Sequence, residues 1–220
     1  MQHEAPREDL SPWFLTLGDL QHDIDWSDVF PSDQPVELDV GCGRGLFLYN
    51  ESLAHPERNY LGIEIDYREG RRTATRLKKR NAQNARVWGG DVREALARYI
   101  RPASVAVVHV YFPDPWWKRK HRRRRVFTKP FVDQVVRILE PGGVLSSATD
   151  VAEYFETIAG LMNHDPRFEP LSPPEAPAGE HDLDYLTSFE RKARKKGESI
   201  CRGRWRLRAE ETSRLGKVER

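Results

Sequence analysis

The chain reads as an α/β protein with a doubly wound, mostly parallel sheet and helices on both faces. Three observations predict this. Short β-rich runs alternate with helical segments five times between residues 35 and 163. A glycine cluster, Gly41-Cys42-Gly43-Arg44-Gly45, sits at the first strand-to-helix junction. Acidic residues close successive strands. In sheets of this kind ligands gather at the carboxyl ends of the strands.

Residues 35–40 form the first predicted strand and run into the glycine cluster, with a helix over 44–54. A second strand covers 60–65, and a long basic helix follows over 67–83. A third strand, 85–88, is closed by Gly89-Gly90-Asp91, with a helix over 92–99. Residues 105–112 are the most β-rich and make the best central strand. A helix over 128–139 has Thr128 as its N-cap candidate and Pro130 in its first turn. Pro141-Gly142-Gly143 stops it, 144–148 is a fifth strand, and a helix opens near Asp150 and runs to about Asn163. Residues 172–179 are Pro-rich and read as a loop. A short helix follows over 187–196, capped by Thr187 with Glu190 three residues on, the spacing of a capping box. Residues 199–208 alternate as a late strand. The expected organisation is an acidic extension over 1–34 and a single domain over 35–220 with a basic C-terminal segment.

At 220 residues the chain can bury a core without covalent staples. Two cysteines, Cys42 and Cys201, exclude a disulfide framework and a zinc ribbon. The N-terminus lacks the apolar stretch of a signal peptide, and no run is long enough to span a bilayer, so a soluble cytoplasmic protein is expected. The net charge of +2 conceals strong asymmetry. Residues 1–40 hold ten acids against Arg7 alone. Residues 118–125 hold seven Lys/Arg and one His, and residues 191–220 hold twelve Lys/Arg against four Glu. Two basic runs flanking aromatic residues point to a phosphate backbone.

The glycines, Gly41 and Gly43 above all, permit a tight turn and close backbone approach to a ligand. Glu64 closes the second strand 21 residues after Gly43, where a carboxylate can receive a ribose diol. Asp39 precedes the loop, and Asp91 closes the third strand, placed to address an adenine edge. The loop is GxGxG, not the GxGxxG of pyrophosphate sites. An acid-rich pocket without a phosphate cradle suits the cationic S-adenosylmethionine better than NAD. Cys42 reads as a small residue in a tight loop, not as a nucleophile.

After the central strand comes Phe112-Pro113-Asp114-Pro115-Trp116-Trp117, then the basic run. The prolines stiffen the turn and hold Asp114 at a strand end. A rigid carboxylate, aromatic rings and cations together suit chemistry on a nucleic-acid base. Here the chain resembles the bacterial tRNA (guanine-N7)-methyltransferases. The landmarks are Phe112 to Trp116 with the basic run, Leu38 to Gly43, Gly62-Ile63-Glu64, Gly90-Asp91, Ala148-Thr149-Asp150 and Thr187-Ser188-Phe189-Glu190. The resemblance spans about residues 36–208.

The resemblance implies a seven-stranded Rossmann-like sheet and methyl transfer from S-adenosylmethionine to N7 of a guanosine in tRNA, position 46 of the variable loop. It implies that Asp39, Glu64, Asp91 and Asp114 bind the cofactor, with Asp114 also catalytic. It implies that Lys118, Asp150, Thr187, Ser188, Phe189 and Glu190 bind the guanosine and tRNA. Arg122, Arg123, Arg124 and Arg125 are phosphate-binding candidates. Ser188 stands where the family often has Lys, and Trp117 where a smaller residue or proline is common. Guanine N7 is a lone-pair acceptor, so no proton must leave before attack and catalysis by positioning is expected. Trp116 is expected to pack the loop more than to stack the base. The rivals are a methyltransferase acting on another RNA or a small molecule, an NAD-dependent oxidoreductase, and a non-catalytic RNA-binding module. No obligate protein partner is evident, and a monomer or a homodimer is expected.

Overall fold

The computed structural model describes residues 9–21, 24–173, 185 and 187–209. The extreme N-terminus, most of the Pro-rich 172–179 segment and the last part of the basic tail lie outside the described residues. In chain order the elements are β1 (Phe14–Thr16), α1 (Trp26–Val29), β2 (Val36–Val40), α2 (Leu46–Ala54), β3 (Asn59–Glu64), α3 (Tyr67–Lys79), β4 (Ala85–Gly89), α4 (Val92–Arg98) and β5 (Val105–Tyr111). Then follow α5 (Lys129–Ile138), β6 (Leu139–Thr149), α6 (Ala152–Asn163), β7 (Phe168–Leu171), α7 (Ser188–Lys195) and β8 (Cys201–Leu207).

One eight-stranded sheet runs in the order β1-β4-β3-β2-β5-β6-β8-β7. The first six strands of that order pair in parallel, and β8 alone runs against the rest, pairing antiparallel with β6 on one side and β7 on the other. The sheet has one strand more than the seven the resemblance implies, and two strands were not located in the sequence: β7, four residues that pair with β8, and β1, three residues in the acidic head that pair with β4. Their short lengths gave no alternation to read. Trp13 anchors β1, donating its indole N–H to the Ala82 carbonyl at 2.9 Å. Strand β6 begins at Leu139, upstream of the Pro-Gly-Gly expected to precede it.

Side chains on the strands alternate between two apolar clusters. Tyr60 and Val87 join one with Leu48, Ala74 and Leu77 from α2 and α3. Leu61, Ile63 and Trp88 join the other with residues of α4, α5 and α6. That alternation is the physical signature of a sheet covered on both faces. The helix α3 buries Gly70, Thr73, Ala74 and Leu77, a single stripe at helical spacing, and leaves its arginines outside.

Chain order reverses between β2 and β5, which lie side by side. Asp39 of β2 pairs with His109 of β5 and with Gly62 of β3. The glycine loop after β2 and the Pro-Asp-Pro loop after β5 therefore open onto the same crevice, the topological switch point of the sheet.

Candidate active site at the sheet switch point

The glycine loop is tied to the neighbouring strand. Gly41 donates its N–H to the Ile63 carbonyl at 2.8 Å. The Gly43 N–H donates to Glu64 Oε2 at 2.8 Å, and Thr73 Oγ1 donates to the Gly43 carbonyl at 2.8 Å. Gly41 and Gly43 have φ of 74° and 52°, a left-handed backbone that side chains disfavour. Nothing lies within 4 Å of where a Cβ of Gly41 would point, so the backbone is bare to the cleft.

Glu64 receives two backbone donors, Gly43 N–H and, on Oε1, Asp66 N–H at 2.8 Å. A carboxylate offers about four lone-pair sites, so about two remain for a diol. Asp91 caps α4 through the Arg93 N–H at 2.9 Å and also lines the cleft. Capping and lining are thus compatible for this acid. Asp39 is 4% exposed and stands behind the lining of the cleft. Burial, with the Glu64 charge adding to it, pushes its carboxyl up to about 8. Burial also pushes the Cys42 thiol well up, with Asp39 and Glu64 reinforcing the shift, as befits a packing residue. Asp39 and Glu64 stand near the ends of neighbouring strands, and the Glu64 charge helps keep the Asp39 carboxyl protonated. A cationic ligand favours the ionised Asp39, so this pair of acids fits S-adenosylmethionine.

The loop after β5 is strained. Phe112 and Trp116 both have positive φ, 50° and 40°, although neither is glycine. Such conformations cost about 1–3 kcal/mol each and persist only when the surroundings impose them. The surroundings here are identifiable. The Phe112 N–H donates to the Ala148 carbonyl of β6 at 2.7 Å. Arg125 Nε donates to the Pro115 carbonyl at 2.6 Å, and its guanidinium lies 4.9 Å from the Tyr154 ring centre. Arg124 sits 5.0 Å over the Trp116 ring. Asp114, between the two strained residues, is exposed and projects into the cleft.

The basic run folds as a short 3-10 helix over Arg119–Arg124. Its members diverge. Arg125 is turned inward onto the loop, Arg124 joins the cleft wall, and Arg123 is exposed. The side chain of Arg122 lies outside the described residues. Lys118 is exposed and shares a shallow depression with Asp114, Trp116 and Trp117. Trp116 meets His121 edge-on at 5.6 Å and also lines the cleft, so it packs the loop while facing the cleft.

Asp150 is exposed at the end of β6 and is not part of the cleft lining. Thr187 caps α7, accepting the Glu190 N–H at 3.0 Å. Glu190 is 1% exposed, and its Oε1 lies 2.8 Å from Arg194 and 2.5 Å from Arg202 of β8. It therefore locks α7 to the sheet, and its neighbours make the surface. Phe189 reaches the cleft and stacks on Phe112 at 6.2 Å and 20°.

The cleft has a volume of about 580 Å³ and brings Gly41, Gly43, Glu64, Asp91, Asp114 and Phe189 together. Its apolar walls escaped sequence reasoning. Ile65 is 67% exposed just beyond Glu64, and with Val92, Val126 and Phe112 it offers flat surface for a planar ring. A large apolar residue immediately after a strand-end acid was the available signal.

The reversed strand order, the bare glycine loop and the strand-end acids define a Rossmann-like methyltransferase. A family profile described as "Putative methyltransferase" matches residues 33–202. The chain is 40% identical over 210 residues to the tRNA (guanine-N(7)-)-methyltransferase of Rhodopirellula baltica, covering 93% of this chain and 78% of that one. It is 34% identical to the protein of the same name from Halorhodospira halophila, covering 84% and 80%. The chain belongs to the tRNA (guanine-N(7)-)-methyltransferase family. Among solved structures, the 16S rRNA methyltransferase KamB shares the fold with a TM-score of 0.61 at 16% identity, covering 86% and 95%. A 16S rRNA (adenine(1408)-N(1))-methyltransferase from Catenulisporales acidiphilia, solved as a point mutant with its cosubstrate, does so at 0.55 and 19% identity, covering 84% and 92%.

Proposed function

We propose that the chain methylates N7 of a guanosine in tRNA, guanosine 46 of the variable loop, forming N7-methylguanosine. S-adenosylmethionine would supply the methyl group: the N7 lone pair bonds the methyl carbon in line as the carbon–sulfur bond breaks, and the sulfur leaves as the neutral thioether S-adenosylhomocysteine. The observation that carries this reading is the strained Phe112–Trp116 loop, which holds Asp114 over a cleft whose far wall is the glycine loop with Glu64 and Asp91. No general base is required, because N7 carries no proton. The work of the chain is to position two partners and to complement a migrating positive charge.

In this reading Glu64 and Asp91 receive the nucleoside part of the cofactor, with Asp39 behind them. Asp114 orients the guanine, and Phe189 with Phe112 forms the ring surface beside it. Lys118, Asp150, Thr187 and Ser188 flank the mouth on the tRNA side. The reaction belongs in the cytoplasm with its tRNA substrate. Among the described residues no helix is long and apolar enough to cross a membrane. The test is methylation of unmodified tRNA with labelled cofactor, the product mapped by N7-specific strand scission. Cleavage at one guanosine of the variable loop is expected. Label in a small molecule or at another base position would overturn the reading.

A further inference from the structure

The basic helix α3 has no part in the cleft chemistry, yet it builds a second groove. A cavity of about 580 Å³ lies between α2, α3 and the start of α7. Its cationic lining is Arg44, Arg72, Arg76, Lys79, Arg80 and Arg191, and no acid is among its described lining residues. Arg72, Arg76 and Arg80 follow one another at four-residue spacing, a rise of about 6 Å per step along one helix face. Like charges at that spacing destabilise a helix. Relief is partial: Glu69 pairs with Arg44 at 3.3 Å and with Arg72 at 2.6 Å at one end. Arg76 and Arg80 lie 5.8 Å and 5.7 Å from the Tyr49 ring centre, which orients their guanidiniums without neutralising them.

The groove adjoins the methylation cleft through two shared walls. Glu69 lines the cleft while its partners Arg44 and Arg72 line the groove. On α7, Phe189 faces the cleft while Ser188 and Arg191 face the groove. Ser188 and Arg191 stand one and two residues from Phe189 on α7, so the groove opens directly beside the cleft.

We propose that this α2–α3–α7 groove is a second tRNA-docking site, which holds the sugar–phosphate backbone flanking the target guanosine. It rests on the reading that tRNA is the substrate. The groove supplies affinity and register by charge, and the cleft supplies chemistry.

The test is the triple variant Arg76→Ala/Lys79→Ala/Arg80→Ala, measured against wild type with an unmodified tRNA transcript. Its mutated face lies outside the buried stripe of α3; relief of like-charge repulsion offsets the lost Tyr49 and helix-end contacts, so the melting temperature should stay within a few degrees of wild type. The plot of log affinity against log salt should lose about 2 units of slope, at about 0.7–0.9 per phosphate contact. KM for tRNA should rise more than about tenfold while kcat at saturation is kept, the signature of lost uniform binding. Arg191→Ala, on the opposite wall, should lose about one unit of slope. Unchanged slopes and KM in both variants would overturn the groove. Its fate separates from that of the proposed reaction. Wild-type protein that binds tRNA with a slope the variant loses, yet makes no N7-methylguanosine, keeps the groove and removes the reaction. N7 methylation with a variant slope equal to wild type keeps the reaction and removes the groove.

Discussion

The two walls of the cleft are held by different forces. The glycine-loop wall is fixed by backbone hydrogen bonds, with Glu64 clamping Gly43 and Asp66 from within a parallel sheet. The Asp114 wall is fixed from outside by cations: Arg125 on the Pro115 carbonyl and Arg124 on Trp116 hold a loop with two left-handed non-glycine residues. The first wall is local and nearly strain-free. The second stores strain and depends on residues ten positions away. In the proposed reading the first wall faces the cofactor and the second, clamped by distant cations, faces the incoming RNA.

The sharpest break of this contrast is Asp114→Ala. The side chain is exposed and Arg125 still grips the loop, so stability should hold. Turnover should fall by about a hundredfold or more, the size expected when a positioned group at the reacting centre is removed. Single-turnover methylation of tRNA measures it. Near-normal turnover would show that the strained loop serves something other than Asp114.

On the opposite wall the contrast is sharpened by pH. The Asp39 carboxyl sits at about 8 in the folded chain, against its ordinary 3.8. Between those values the folded chain holds a proton that the unfolded chain has lost. Its contribution to stability is therefore full below about 4 and is lost as pH rises through about 8. A cationic ligand favours the ionised form, so binding should release this proton. Cofactor affinity should rise by up to about tenfold per pH unit below 8. Titration calorimetry in buffers of different ionisation enthalpy reads the released proton. Glu64→Gln removes the charge that reinforces the shift and should move the rise to lower pH. Asp39→Asn should flatten it.

The same difference explains what was legible in the sequence. The glycine-loop wall was readable because each part is a local signal: a strand, a positive-φ glycine, an acid at a strand end. Asp39, Gly41, Gly43, Glu64 and Asp91 all stand at the carboxyl edge of the sheet, though Asp39 is behind the lining. The five repeated strand–helix units were readable from periodicity for the same reason. The Asp114 wall was readable as a motif but not as a mechanism, because Arg125 reaches back ten residues to Pro115 and Phe189 arrives from far along the chain. Short elements were illegible: β1 has three residues and α1 four, and tertiary pairing supplies what their sequences lack. The helix α3 was read as basic, but the groove it makes with Tyr49 and α7 exists only in three dimensions.

Within the basic run the contrast can be tested at two positions with the same chemistry. Arg125→Ala frees the Pro115 carbonyl and removes a cation from the faces of Trp117 and Tyr154. One charge-assisted hydrogen bond is worth about 1.5–3 kcal/mol, so kcat should fall by roughly tenfold as the loop loosens. The salt slope of tRNA binding should be kept, because the side chain is spent on the protein.

Arg123→Ala should do the reverse and with the smaller effect. Its side chain is exposed on the 3-10 turn, so the loop keeps its geometry and kcat its value. The salt slope should drop by about 0.7–0.9, the contribution of one phosphate, and affinity by only a few-fold near physiological salt. If both variants moved the slope and neither moved kcat, the basic run would be a uniform phosphate patch. If they separate as described, a single run of arginines is divided between bracing a strained loop and holding an RNA.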